Sequence, residues 1–310
     1  MRWNDRIGRR IKLRDLHILQ AAAAAGSMAK AANDLAISQP AVSYAVAEME
    51  HALGVPLLDR TSQGVTPTAY GRALLERSVV VFNELRQGIS EIQQLADPAV
   101  GEVHIGITAP MSAIVSAMIN RLIPQYPRMT FHLMVEPAGT FIAELRRRNI
   151  ELAIRRMVDP LAEEDIETQV LFRDELAVIC GKHNPLARRR TVKMSELMDK
   201  PWALWPPSSV LGLLIRDAFA AHGLDVPRAT VSTRSTHAVN VLVANGPFLT
   251  ILPRTMLRLP QRHRLLTAIA VDMRTTRHPI CLMTLKNRSL SPAARLFIGA
   301  AAAFAKSVKP

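Results

Sequence analysis

The sequence predicts an α/β protein headed by a small all-helical domain with a two-stranded wing, and three observations predict it. Residues 27–53 carry the punctuation of two short helices meeting at a tight turn. From Thr68 to Ala96, apolar residues recur at heptad spacing. Beyond Val103, strand-like alternation and helical periodicity take turns, the pattern of a parallel sheet with helices on its faces. The expected division is a winged helix-turn-helix domain with a basic N-terminal arm over 1–68, a linker and dimerisation helix over 69–96, and a two-lobed α/β domain over 97–310. Lobe I is expected at about 97–166 and 266–310, lobe II at about 167–265.

Met1 to Ile11 is polar and holds Arg2, Arg6, Arg9 and Arg10. It reads as a solvated arm, with phosphate or minor-groove contact as the alternative. Leu13, Leu16, Leu19, Ala22 and Ala23 mark an amphipathic helix up to Ala25. Gly26 suits a left-handed helix end and Ser27 an N-cap, while Ala29, Ala31 and Ala32 keep the next helix slim and Leu35 and Ile37 are expected to plug the turn. Ser38 caps the following helix with Pro40 in its first turn, where the missing N–H costs nothing. Val42, Val46, Met49 and Leu53 then form one apolar stripe, leaving Gln39, Ser43, Tyr44 and Ala47 on the outer face. That face carries no Lys or Arg; its small residues permit close approach, and Gln and Tyr offer hydrogen-bonding and stacking groups suited to base edges. A helical hairpin used only for packing is the alternative. After Gly54, residues 56–68 turn extended around Ser62–Gly64 as a wing, with Arg60 near its tip to meet a phosphate or pair with Asp59.

Thr68 is placed to cap a helix through Ala96, with Leu75, Phe82, Ile89 and Ala96 on one seam and Ser78, Leu85 and Ile92 on the other. At 1.5 Å per residue such a helix spans roughly 40 Å, enough to hold two winged modules apart on one DNA face. Past a break at Asp97–Gly101, the order is β-α-β-α-β to Ile154, then a second set of elements, with Pro279–Lys286 and the final helix returning to the first lobe. Open parallel sheets bind ligands beyond the carboxyl ends of their strands, near helix N-termini. The loops Thr108–Ser112, Pro137–Thr140, Pro206–Ser209 and Gly246–Thr250 qualify. The expected ligand residues are Thr108, Ser112, Thr140, Ser208, Ser209, Phe248, Thr236 at a helix start, and Arg155 after the Ala153–Ile154 strand end, whose alternative is a plain surface Arg.

With 310 residues, 49% hydrophobic and 21% charged, the chain has the composition of an ordinary globular protein. The net charge of +13 does not by itself mark a DNA binder. Met1–Thr68 holds eight Lys or Arg against six Asp or Glu, whereas 28 basic against 17 acidic residues lie from Asp97 onward. Cys180 and Cys281 sit in apolar strand-like runs without metal or redox spacing and read as buried thiols. No apolar run approaches bilayer length and the N-terminus lacks the apolar core of a signal peptide, so a cytoplasmic location without membrane contact is expected. No nucleophile with a base, carboxylate pair, phosphate loop or metal cluster has usable spacing; no enzyme activity, cofactor or metal is expected.

Leu13-Arg-Asp-Leu16, Ala24-Ala-Gly-Ser27, Lys30-Ala-Ala32, Ile37-Ser-Gln-Pro-Ala-Val-Ser43, Leu53-Gly-Val-Pro-Leu-Leu-Asp-Arg60 and Thr66-Pro-Thr-Ala-Tyr-Gly71 closely resemble the N-terminal domain of LysR-type transcriptional regulators. Gly101–Gly106, Tyr126-Pro127, Glu151–Ile154, Asn184–Ala187 and Ile251–Pro253 are similar to that family's effector domain. The resemblance implies a winged helix-turn-helix, a homodimer through the linker helix commonly paired into a homotetramer, and a periplasmic-binding-protein-like effector domain. Its implied partners are double-stranded promoter DNA, a small-molecule effector and RNA polymerase. The family's DNA contacts map onto Ser38, Gln39, Pro40, Ser43, Tyr44 and Arg60. Tyr44 and Ala47-Glu48 depart from positions that are often basic in the family. The hydroxyl-rich loops suit a sugar, sugar acid or aromatic acid, and Arg10-Ile-Lys-Leu-Arg14 and Met49-Glu-His51 also look like the subgroup associated with sugar-binding-protein regulation; a sugar or sugar acid is the expected effector, with an aromatic or other carboxylic acid as the alternative.

Overall fold

The computed structural model describes residues 10–62, 64–97, 100–158, 162–258 and 265–308. Arg2, Arg6 and Arg9 of the expected arm, Gln63 at the wing turn and Pro98 at the expected helix break lie outside the described residues. The chain divides into two compact units, Met1–Gly88 and Ile89–Pro310.

In the first unit, α1 (Leu13–Ala25) begins where the Lys12 N–H donates to Asp15 Oδ2 at 3.2 Å, and ends at Gly26, whose φ of 61° no β-carbon-bearing residue adopts cheaply. Ser27 Oγ accepts from the Lys30 N–H to start α2 (Met28–Asp34), and Ser38 Oγ accepts from the Ala41 N–H to start α3 (Gln39–Leu53), which Gly54 closes. Val42, Ala45, Val46 and Met49 bury one face of α3 against Leu16, Leu19, Ala22 and Ala31. Two expected core positions differ. Leu13 is 46% exposed and Ile18 is buried instead. Ile37 is 39% exposed; its N–H donates to Ala32 O, so backbone bonds and the half-buried Leu35 hold the turn.

The wing is an antiparallel pair, β1 (Leu58–Thr61) and β2 (Gly64–Pro67), with Arg60 opposite Val65. Glu50, near the end of α3, fastens it: Oε1 accepts the N–H groups of Leu57 (2.7 Å) and Leu58 (3.1 Å), and Oε2 lies 3.8 Å from Arg60 Nη2. Arg60 thus faces Glu50 rather than the Asp59 considered from sequence. Thr68 Oγ1 donates to Pro56 O and accepts from the Gly71 N–H, capping α4 (Ala69–Ala96). Gly71 leaves room for the strand leading to the wing, since a β-carbon there would sit 2.0 Å from Leu57 O.

The α4 seam changes role along its length. Leu75 and Phe82, expected at a dimer seam, pack on the first unit's own core; Ser78 accepts a hydrogen bond from Gln20, and Phe82 meets His17 edge-on. Heptad spacing alone does not say which partner a helix faces. Val81, Leu85, Ile89, Ile92 and Leu95, by contrast, form an exposed stripe. In the last turn Gln94 is buried.

The second unit opens with the expected order: β3 (Val100–Ile107), α5 (Ser112–Leu122), β4 (Arg128–Val135), α6 (Phe141–Arg146) and β5 (Leu152–Arg156). There follow β6 (Ile166–Asp174), β7 (Leu176–Gly181), β8 (Ala203–Leu204), α7 (Val210–Ala220), β9 (Val231–Ser232), α8 (Thr236–Asn245), β10 (Thr250–Pro253), β11 (Leu266–Ala268), β12 (His278–Leu285) and α9 (Pro292–Ser307). Gln94 Oε1 accepts the Ala293 N–H at the start of α9. The first sheet runs β4-β3-β5-β12-β6, with β3 parallel to β4 and β5, and β12 antiparallel to β5 and β6. α5 and α9 cover Val103, Ile105 and Ile107 on one face; Phe141 and Leu145 of α6 cover Ala153, Cys281 and Met283 on the other. The second sheet centres on β7, antiparallel to β10 and β11, and the parallel pair β8-β9 joins it through a bridge from Trp202 to Leu249. Burial pushes the Cys180 thiol up to about 11 and raises that of Cys281, as befits inert core thiols.

The lobe limits shift from those expected. β6 pairs with β12 along its length and β11 pairs with β7, so the chain passes from lobe I to lobe II after Asp174 and returns near Thr276. Alternation marks a strand but not its sheet. Both passages are held by one buried ion pair. Arg156 Nη2 lies 3.3 Å from Asp174 Oδ2, Nη1 donates to the carbonyls of Asp174 and Thr276, and Asp174 Oδ1 accepts the Thr255 N–H. Burial pushes the carboxyl above and the guanidinium below their ordinary ranges, while each partner holds the other charged.

Three outcomes are expected in urea unfolding. Asp174→Asn, by stranding a buried guanidinium, destabilises the second unit by about 3–5 kcal/mol, whereas Asp165→Asn at the exposed Arg146 pair leaves the midpoint within error. Gly71→Ala destabilises the first unit by about 1–3 kcal/mol through overpacking.

Candidate functional site

The outer face of α3 is presented by the caps just described. Tyr44 is 68% exposed, Gln39 and Ala47 are exposed and Ser43 is half-buried. Ser38 spends its hydroxyl on the helix cap and Pro40 occupies the first turn, so both shape this surface more than they offer groups to it. Arg60, half exposed, projects from the wing beside Glu50. Exposed Arg10 is the part of the basic arm within the described residues.

In the second unit a cavity of about 530 Å³ opens between the two lobes, at the carboxyl ends of β3 and β4. Of the residues expected from sequence, Thr108, Ser208 and Ser209 line it. The other five do not. A 3₁₀ turn over Ala109–Met111 precedes α5 and brings Met111 to the wall instead of Ser112. Thr140 turns its hydroxyl back to Pro137 O, leaving Pro137–Gly139 at the surface. Arg155 lies on the α6 side of the sheet, where its guanidinium donates to Ala138 O; strand alternation brings Arg156 to the cavity. Phe248 packs against the lobe II core. Thr236 starts α8 with its Oγ1 buried and without a partner among the described residues.

The cavity wall is mostly apolar, with Met111, Val135, Trp205, Leu211 and Leu214 contributing. Its charged groups are Arg156, already paired with Asp174, Arg234, which reaches Ser208 Oγ at 3.5 Å, and Glu136. The start of α7 faces this space, and its free N–H groups favour negative charge. Ser209 donates its proton to Pro206 O and accepts from the Gly212 N–H, so it has no donor left for a ligand. Trp205 is 93% buried, and its Nε1, itself out of solvent's reach, has no acceptor among the described residues. Sequence reading missed Arg156, Trp205 and Arg234. Arg156 was one residue from the position chosen, and Arg234 directly precedes the Ser235 cap of α8, close to the selected Thr236.

Residues 13–72 match the model of the bacterial regulatory helix-turn-helix protein, lysR family, and residues 96–306 that of the LysR substrate binding domain. The HTH-type transcriptional regulator GbpR of Azospirillum brasilense is 28% identical over 293 residues, covering 94% of this chain and 86% of the relative. The crystal structure of full-length CbnR complexed with its target DNA has a TM-score of 0.70 at 20% identity, covering 94% of this chain and 99% of that one. The effector binding domain of QuiR in complex with shikimate has a TM-score of 0.53 at 22% identity, covering 68% of this chain and all of that one. Two family models thus span both units, and helix-turn-helix, wing and two-lobed domain are where those models require them: the chain belongs to the LysR family of DNA-binding transcriptional regulators.

Proposed function

We propose that this regulator reads promoter DNA through Gln39, Ser43 and Tyr44, anchors on the backbone through Arg60, and answers to a small amphipathic carboxylic acid held between the lobes. Residues 1–68 form the reader, 69–96 the linker and 97–310 the effector domain. Two copies pair through the exposed α4 stripe of Val81, Leu85, Ile89, Ile92 and Leu95, and dimers pair into tetramers. The protein acts in the cytoplasm, where promoter DNA and RNA polymerase are met. Among the described residues no helix is long and apolar enough to cross a membrane. The reading assigns this chain no reaction to catalyse.

The observation that carries the effector class is the cavity's apolar wall beside Arg234 and the α7 N-terminus. A sugar would need many hydrogen-bonding partners, and the mostly apolar wall offers few, with no donor left on Ser209. A carboxylate meets Arg234 and the helix start while an aromatic or alicyclic body lies on Met111, Trp205 and Leu214. Among similar proteins, QuiR is described with shikimate, a hydroxylated ring acid. This favours the carboxylic acid over the sugar expected from the subgroup resemblance. The ligand acts by binding two arrangements of the lobes unequally, since equal affinity shifts nothing. Arg156 bears on both, because it lines the cavity and ties the lobe passages.

Thermal-shift titration of the full chain tests this reading. Aromatic and alicyclic carboxylic acids are expected to raise the midpoint as concentration exceeds affinity, with neutral sugars inert; a response to neutral sugars alone overturns the class. Arg234→Ala is expected to weaken the effective acid roughly tenfold or more, with operator affinity unchanged in fluorescence anisotropy. On the DNA side, Gln39→Ala or Tyr44→Ala costs about 1–3 kcal/mol at particular bases, whereas Arg60→Ala weakens all sequences alike and flattens the salt dependence. Unchanged affinity and base preference in Gln39→Ala rules out the assigned reading face.

A further inference from the structure

The first sheet of the effector domain carries a side-chain cluster far from the cavity. His104 on β3 and His132 on β4 are cross-strand neighbours in the parallel register, and Glu102, two residues before His104, shares their face. The two imidazoles stack with centroids 4.3 Å apart at 12°. Glu102 Oε2 lies 3.9 Å from His104 Nε2 and 3.7 Å from His132 Nε2, and one donor atom from each of the three residues lies within 4.8 Å of the others.

We propose that Glu102, His104 and His132 bind one divalent transition-metal ion of the zinc class. Two imidazole nitrogens and one carboxylate oxygen form a donor set that suits zinc, copper, nickel or cobalt and disfavours magnesium and calcium. Three protein ligands leave the remaining coordination positions to water. With metal–ligand bonds of about 2.0–2.1 Å, donors in a tetrahedral site stand roughly 3.3 Å apart, so the carboxylate and rings need to close by about half an ångström. Parallel rings also aim their lone pairs side by side, and each must swing about its Cβ–Cγ bond to converge. The exposed His132 and Glu102 and half-exposed His104 have space for this.

The sheet explains why the face is open here. Residues of β3 alternate: Gly101 and Val103 face α9 and α5, while Glu102, His104 and Gly106 face the other way. At Gly106 that side is closed by Phe141 and Ile150; Glu102 and His104 lie further toward the start of the strand. β4 is the outermost strand of the sheet, so a bound ion would clip it to β3 at the end opposite the ligand cavity. Sequence spacing hid the cluster, since only the β3/β4 register brings His104 to His132.

The test uses the full chain, purified without a histidine tag and stripped with a chelator. Zn²⁺ titrated against a chromophoric chelator is expected to fill one site per chain, and Co²⁺ to give the visible absorption of a mixed nitrogen–oxygen site. His132→Ala and Glu102→Gln are each expected to weaken uptake by at least about tenfold and to abolish the cobalt band, with the unfolding midpoint of the metal-free chain unchanged. Undiminished uptake in either variant places the ion on other side chains and overturns the proposal, as does absence of saturable uptake by the parent chain.

Discussion

The effector domain depends on a constraint that works against burial. Asp174 and Arg156 are 4% and 7% exposed, and removing such charges from water costs several kcal/mol each. The cost is offset by further hydrogen bonds on both members, with Thr255 donating to the carboxylate and the carbonyls of Asp174 and Thr276 accepting from the guanidinium. The two carbonyls lie where the chain leaves the first sheet and where it comes back. A hydrophobic replacement would fill the volume but would not specify which strand end meets which loop; directional bonds do. The lobes are therefore registered against each other by polar geometry, while each is stabilised by its own apolar core.

The same guanidinium forms part of the cavity wall. A ligand that touches it would meet a group tied to both crossings between the lobes. The surrounding wall divides labour in the way small-molecule sites do: apolar side chains supply area, and a few polar groups fix orientation. Arg234 belongs to lobe II and Thr108 to lobe I, so the wall is drawn from both. In the DNA-reading unit the logic is different. The reading face is fixed by local caps and a compact core, so its rigidity needs nothing from the ligand.

Much of this was legible in the sequence because it is encoded locally. Ser27, Ser38, Gly26 and Gly54 punctuate helices whose hydrogen bonds close within a turn, and the β-α-β-α-β order follows from short-range periodicity. What was not legible depends on distant partners. Leu75 and Phe82 satisfy a heptad yet face their own core, because α1 supplies the groove. β6 has the alternation of any strand, and only β12 decides its lobe. Arg155 and Arg156 differ by one position, and in a strand that is the difference between the α6 side and the cavity. Thr108, Ser208 and Ser209 were recoverable because loops at strand ends and helix starts are where such cavities open.

Glu50 gives the reading unit a property that no single contact conveys. One carboxylate receives two backbone N–H groups at the root of the wing and stands beside Arg60, while its own backbone belongs to α3. The helix and the wing therefore behave as the fixed jaws of a calliper. On the proposed assignment, the separation between a base edge under Tyr44 and the strand backbone beside Arg60 is set before DNA arrives. Each half-site would then be gauged as a length as well as spelled as a sequence, and DNA whose groove width departs from that gauge would itself have to deform to fit.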